Sequence, residues 1–175
     1  MTDDELKDLV ASLAVAQKET SEQMRKTDAK LESIGIQLGN MSKNQGDVAE
    51  EFFYNSLVAD AHLGAIHFDE VLSNMKKHSV NLQEEYDIVL TNGESVGIVE
   101  VKYKAHQKDI DKLERKMSHF KELFPWFKSY KLYGALASFH VNEVAKKEAL
   151  DRGFFVLQRK GDVLHTESGE NLLIM

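Results

Sequence analysis

Along the first 45 residues, apolar and mid-polar side chains recur at positions 6, 10, 13, 17, 20, 24, 27, 31, 34, 38 and 41, in steps that alternate four and three. A period of 3.5 residues predicts a left-handed coiled coil, because a helix must supercoil to keep such a seam facing a partner. Read as heptads, the a positions are Val10, Gln17, Met24, Leu31 and Leu38, and the d positions are Leu6, Leu13, Thr20, Thr27, Ile34 and Met41. At 1.5 Å per residue the seam extends about 50 Å. Its middle is polar, at Gln17, Thr20 and Thr27, and Gly35 and Gly39 each cost about 1 kcal/mol of helix propensity. Such a helix is weak alone, so a homo-oligomer through residues 6–41 is expected. A long amphipathic helix folded back on its own domain fits the same spacing.

The pattern changes at Asn44 or Gln45-Gly46, which reads as a joint between a coiled-coil segment, 1–45, and a globular domain, 46–175. Residues 47–58 have helical spacing, with Val48, Phe52 and Leu57 or Val58 expected to share a buried face. Ile66–Val71 reads as a short strand, followed by a polar loop carrying Lys76, Lys77 and His78. Tyr86–Leu90 and Val96–Tyr103 are nearly continuous apolar runs, the signature of strands buried on both faces. The Asn92-Gly93 pair between them favours a hairpin turn. A helix is predicted over 107–124, with Ile110, Leu113, Met117, Phe120 and Phe124 as its apolar stripe and Pro125 as its stop. A strand over Tyr130–Phe139 and a helix over 141–151 ending at Gly153 follow. Last come two strands, Phe154–Gln158 and Val163–Thr166, paired across Gly161. This order describes an α/β domain, a mixed sheet flanked by helices.

Composition removes several chemistries. Cysteine is absent from the 175 residues, which excludes disulfides, thiolate nucleophiles and iron–sulfur clusters. No run reaches the roughly 18 apolar residues of a membrane span, and the start, Met1-Thr2-Asp3-Asp4-Glu5, does not resemble a signal peptide. A cytoplasmic protein without membrane contact is expected. Neither a Gly-x-Ser-x-Gly elbow nor a phosphate-binding Gly-x-x-x-x-Gly-Lys loop is present. The net charge is −7, yet residues 102–121 carry seven bases against three acids. That stretch is either a solvated helix face or a local surface for phosphate.

Two of the apolar strands carry charges that packing does not explain: Asp87 in Tyr-Asp-Ile-Val-Leu, and Glu100 and Lys102 in Ile-Val-Glu-Val-Lys. Residues two apart in a strand face the same way, so Glu100 and Lys102 share a side, and a hairpin brings Asp87 beside them. Desolvation makes unpaired charges costly there. Two acids and a lysine either hold a hard cation such as magnesium or form a salt-bridged sheet edge without chemistry.

Asp87, followed after twelve residues by Glu100-Val101-Lys102, resembles the PD-(D/E)XK superfamily, the restriction-endonuclease-like nucleases, with Tyr86 in place of the proline. Gly46-Asp47-Val48-Ala49-Glu50 resembles the helix that supplies an additional glutamate in many members. The element order over residues 46–166 also matches, and the preceding stalk is similar to bacterial proteins that join a coiled coil to such a module. The resemblance implies that Asp87, Glu100 and the carbonyl of Val101 bind Mg2+ or Mn2+. It further implies that Lys102 positions or activates water, and that Glu50, or its neighbour Glu51, completes the site. Lys104, Lys108, Lys112, Lys76 and Lys77 are candidate nucleic-acid contacts. The implied activity is metal-dependent hydrolysis of phosphodiesters in duplex or branched DNA. The alternatives are an inactive nuclease-fold binding or scaffold protein, or a nuclease acting on RNA.

Overall fold

The computed structural model describes residues 2–175. A single helix, α1 (Asp3–Ala59), begins the chain. A two-stranded hairpin follows, β1 (His62–Leu63) and β2 (Ile66–His67). Next come β3 (Glu70–His78), β4 (Gln83–Thr91) and β5 (Ser95–Ala105), then α2 (Gln107–Leu123) and a 3-10 turn at Pro125–Phe127. The chain continues with β6 (Lys131–Val141), α3 (Glu143–Asp151), β7 (Phe155–Lys160) and β8 (Val163–Glu167). Two compact units are present, residues 1–44 and 45–175.

In the first unit the seam side chains are exposed, from 44% at Leu6 to 65% at Met24. No helix among the described residues is long and apolar enough to cross a membrane.

The second unit is the mixed α/β sheet that the sequence predicts. Six strands lie in the order β3-β4-β5-β6-β7-β8. The β3–β4 and β4–β5 pairs are antiparallel, β5–β6 and β6–β7 parallel, and β7–β8 antiparallel. Strands β5 and β6 are apolar almost throughout because both faces are covered. One face packs Tyr86, Val89, Val96, Ile98 and Leu136 under α2 and α3. The other packs Ile88, Leu90, Val99 and Val101 under Ala49, Phe53 and Leu57, the inward stripe of the last turns of α1. The β4–β5 turn is closed by Asn92, whose Oδ1 accepts the backbone N–H groups of Glu94 and Ser95 at 3.1 and 2.8 Å. Gly93 adopts φ +84° there, a conformation that glycine reaches without cost. At Gly134 a side chain would collide with Met117 and Phe154, so the glycine lets α2 lie close on β6.

Three expectations are corrected. The helix passes through Asn44, Gln45 and Gly46 without a break. A glycine costs propensity but retains its N–H and can hold helical angles, unlike proline. The strand expected over Ile66–Val71 is split between β2 and β3, and Lys76, Lys77 and His78 belong to β3 rather than to a loop. As an edge strand, β3 tolerates the polar and basic residues that conceal it in the sequence. Val48 and Val58 are 55% and 56% exposed, because the buried face of this helix runs instead through Ala49, Phe53 and Leu57.

Candidate active site

The pairing of β4 with β5 runs from Thr91↔Val96 to Ile88↔Val99 and stops one residue short of Asp87. On its other side, β4 pairs with β3 at Ser73↔Ile88 and Met75↔Tyr86 but not between them. There Asn74 takes φ +53°, a left-handed angle that asparagine tolerates better than most residues. Asp87 thus sits where the ladder is interrupted on both sides. Its Oδ2 accepts the N–H of Val101 at 2.8 Å, a side chain replacing a strand partner.

Glu100 lies beside it, 0% exposed. Its Oε1 accepts from Lys102 at 2.7 Å and from Lys112 at 2.8 Å, and its Oε2 accepts from Lys116. Lys102 Nζ also donates to the carbonyl of Val101 at 2.8 Å and lies 3.9 Å from Asp87 Oδ2. Three oxygens, from Glu100, Val101 and Asp87, therefore converge on one cationic centre. Lys116 Nζ is 3.8 Å from Asp87 Oδ1 and also meets Glu100 Oε2, so it bridges the two acids through the other oxygen of each.

Helix α2 supplies two of these ammoniums because residues four apart share a helix face. His106 is its N-cap, and its backbone N–H donates to Asp109 Oδ2 at 2.8 Å. Tyr86 fixes its middle. The ring packs edge-on against Phe120 at 5.2 Å, and the hydroxyl donates to the carbonyl of Lys116 at 3.0 Å. The same ring lies 5.9 Å beneath the Lys116 ammonium. Nearer the start of β4, buried Glu84 accepts from Arg115 Nε at 3.1 Å and lies 3.0 Å from His119 Nδ1. This forms a second tie between α2 and the sheet.

The two acids have opposite electrostatics. Burial pushes Asp87 above the usual carboxylate range, Glu100 pushes it further, and Lys116 only partly opposes them. Burial acts the same way on Glu100, but Lys116 and Lys102 outweigh it and hold that carboxyl well below its usual range. Glu50 is raised by burial and then by Asp87. Burial pushes the Lys112 ammonium down, but its bond to Glu100 and the charges of Glu100, Asp87 and Asp109 together hold it above its usual range.

Glu50, Lys76, Asp87, Lys102, Lys112 and Lys116 line an open polar cleft of about 590 Å³. Glu50 and Asp87 also border a neighbouring hollow of about 290 Å³ with Asp47, Glu51 and Tyr54. Glu50 is half-buried and Glu51 exposed. Lys104 and Lys108 are exposed. Lys76 pairs with Glu85 at 3.2 Å, and Lys77 lies over the Trp126 ring at 5.4 Å.

No three acidic or histidine side chains form a metal-holding cluster among the described residues. The oxygens that converge are two carboxylates and one main-chain carbonyl. Such hard donors suit Mg2+ or Mn2+, which keep several waters when bound by few protein ligands. The convergence of all three on Lys102 Nζ gives a single point that a cation can share.

Sequence reasoning missed Lys116 and the part played by Tyr86. A signal for Lys116 exists: it falls between Leu113, Met117 and Phe120, inside the apolar stripe of α2, where a lysine needs a buried partner.

A scan against protein-family models gives no match, and a search of curated proteins gives none. Solved structures give weak likenesses. Can2 from Sulfobacillus thermosulfidooxidans in complex with cyclic tetra-adenylate is 16% identical, covers 63% of this chain and 31% of its own, with a TM-score of 0.45. The EndoMS–dsDNA complex is 9% identical, covers 66% and 45%, with a TM-score of 0.46. A repair endonuclease from Pyrococcus abyssi is 18% identical, covers 53% and 38%, with a TM-score of 0.37. The chain spans less than half the length of each of these chains.

Proposed function

We propose that the unit of residues 45–175 is a metal-dependent nuclease that hydrolyses DNA phosphodiesters, brought together in copies by the helix of residues 6–41. The observation that supports the reading best is the convergence of Asp87, Glu100 and the Val101 carbonyl on the Lys102 ammonium, at the wall of an open polar cleft. Asp87, Glu100 and Val101 would hold Mg2+ or Mn2+, with Glu50 facing the same cleft. A bound cation would supply stabilisation of the negative charge that develops on the phosphoryl oxygens. Lys102, 27% exposed at its side chain, orients the attacking water or balances charge on the phosphate. Lys76 and Lys112 line the route by which a phosphate backbone enters.

The test is cleavage of supercoiled, linear, single-stranded and branched DNA in Mg2+ and in Mn2+, wild type against Lys102→Ala. The expected result is metal-dependent cleavage that falls on the order of 10²–10³-fold in the variant, the scale of losing one charge-stabilising group. Activity that survives Lys102→Ala would place the chemistry elsewhere. One observation favours a second reading, a nuclease fold that binds without cutting: both oxygens of Glu100 are taken by ammoniums. Folded wild type that binds DNA yet cuts neither DNA nor RNA supports that reading.

A further inference from the structure

Three ammoniums gather at the two innermost carboxylates of the centre. Asp87 and Glu100 face Lys102, Lys112 and Lys116, three ammoniums for two carboxylates. These lysines are not equivalent. The Lys116 side chain is 3% exposed and lies against the Tyr86 ring, so it is a fixed counter-charge. The Lys112 side chain is 40% exposed and reaches Glu100 Oε1 from the cleft wall. It can leave by rotating its own four-carbon stem into water, with no movement of α2. The oxygen it covers is the one it shares with Lys102, at 2.8 and 2.7 Å, where a cation would bind.

We propose that Lys112 is a mobile gate: in the free protein its ammonium closes Glu100 Oε1 to a divalent cation, and once displaced it turns to the phosphate of the incoming substrate. The proposal rests on the nuclease reading of the same site. It makes Lys112 a positioning residue whose two partners, Glu100 and phosphate, exclude one another. Metal entry frees the ammonium for phosphate, and phosphate holds it away from Glu100. Metal and nucleic acid therefore bind with positive coupling, and linkage requires the coupling to be reciprocal. Lys116 cannot serve, because moving it would expose Glu100 and Tyr86 together.

The experiment measures Mn2+ affinity by electron paramagnetic resonance of the free full-length protein, for wild type, Lys112→Gln, Lys112→Arg and Lys147→Gln. The last removes the same charge from an exposed pair with Asp151. Because a like charge is taken from beside the cation, Lys112→Gln should bind Mn2+ about tenfold more tightly than wild type. Lys112→Arg and Lys147→Gln should stay near wild type. In parallel, duplex DNA binding is followed by fluorescence anisotropy in chelator and in Ca2+. Wild type should gain about tenfold in affinity from Ca2+, and Lys112→Gln less than about threefold. Circular dichroism melting confirms that each variant is folded. Equal Mn2+ affinity in wild type and Lys112→Gln, both binding, overturns the gate and leaves the nuclease reading standing. Absence of Mn2+ binding in every protein overturns both.

Discussion

The two ends of α1 are one helix with two ways of being stable. Its last turns set Ala49, Phe53 and Leu57 at four-residue spacing, all fully buried against the sheet. Its first forty residues contain no buried side chain, and their apolar residues recur instead every 3.5 positions. A four-residue stripe drifts round the helix and wraps a neighbouring globular surface, whereas a 3.5-residue seam stays in line for another helix. Helices owe most of their stability in water to packing rather than propensity. The buried end has that packing within its own unit, whereas the exposed end has none among the described residues and, in the proposed assembly, would take it from another chain. An unbroken backbone therefore does not imply a single source of stability.

The sharpest way to break the buried end is Phe53→Ala. Phe53 is 0% exposed and packs its ring at 5.2 Å from Phe52 and 5.6 Å from Phe139. Truncation leaves a cavity between helix and sheet and should cost about 3–5 kcal/mol. The urea midpoint of the domain should fall accordingly. A loss below about 1 kcal/mol would mean that this part of α1 is not integral to the core.

The counterpart at the exposed end is Leu31→Asp with Ile34→Asp, consecutive a and d positions that are 61% and 51% exposed. Sedimentation velocity should show the assembly dissolved, because a charged pair in the seam faces its own copy. The urea midpoint of residues 45–175 should stay within about 0.5 kcal/mol of wild type, as expected for surface changes away from a core. An assembly that persists would exclude the seam as its basis.

The contrast also explains what could be read without coordinates. The heptads are legible as a simple period, and the two central strands as nearly continuous apolar runs. Asp87, Glu100 and Lys102 stand out because a charge inside an apolar run demands a reason. Strand β3 is hidden because an edge strand is half solvated, and Ser73-Asn74-Met75-Lys76-Lys77-His78 has the composition of a loop. Lys116 is hidden for the opposite reason. Among Lys112, Arg115 and Lys121 it looks like one more solvated charge, although Leu113, Met117 and Phe120 beside it on the helix are buried. The continuity of α1 through Gly46 is hidden because glycine marks many joints but compels none.

The smallest predicted effect concerns the buried end again, where Glu50 faces Asp87. Both carboxyls are pushed upward, by burial first, then by Asp87 on Glu50 and by Glu100 on Asp87. An acid whose folded pKa is raised costs stability when ionised, and the cost disappears as pH falls and the proton returns. Asp87→Asn removes that charge and keeps an oxygen for the Val101 N–H. It should stabilise the metal-free protein at neutral pH, read as a small rise in melting temperature. The gain should shrink as pH falls through the raised pKa of Asp87 towards its ordinary value of 3.8. Glu100 runs the other way: its lowered pKa gives stability above 4.5 that is lost as pH falls through the folded value. Its effect is common to both proteins and largely cancels from the difference. Millimolar Mn2+ should reverse the order, raising the melting temperature of wild type and leaving the variant unmoved. Were Asp87→Asn instead destabilising at neutral pH and indifferent to Mn2+ in comparison with wild type, Asp87 would be a stabilising partner of Lys116 and Lys102. The interrupted ladder at β4 would then serve the fold rather than a cation.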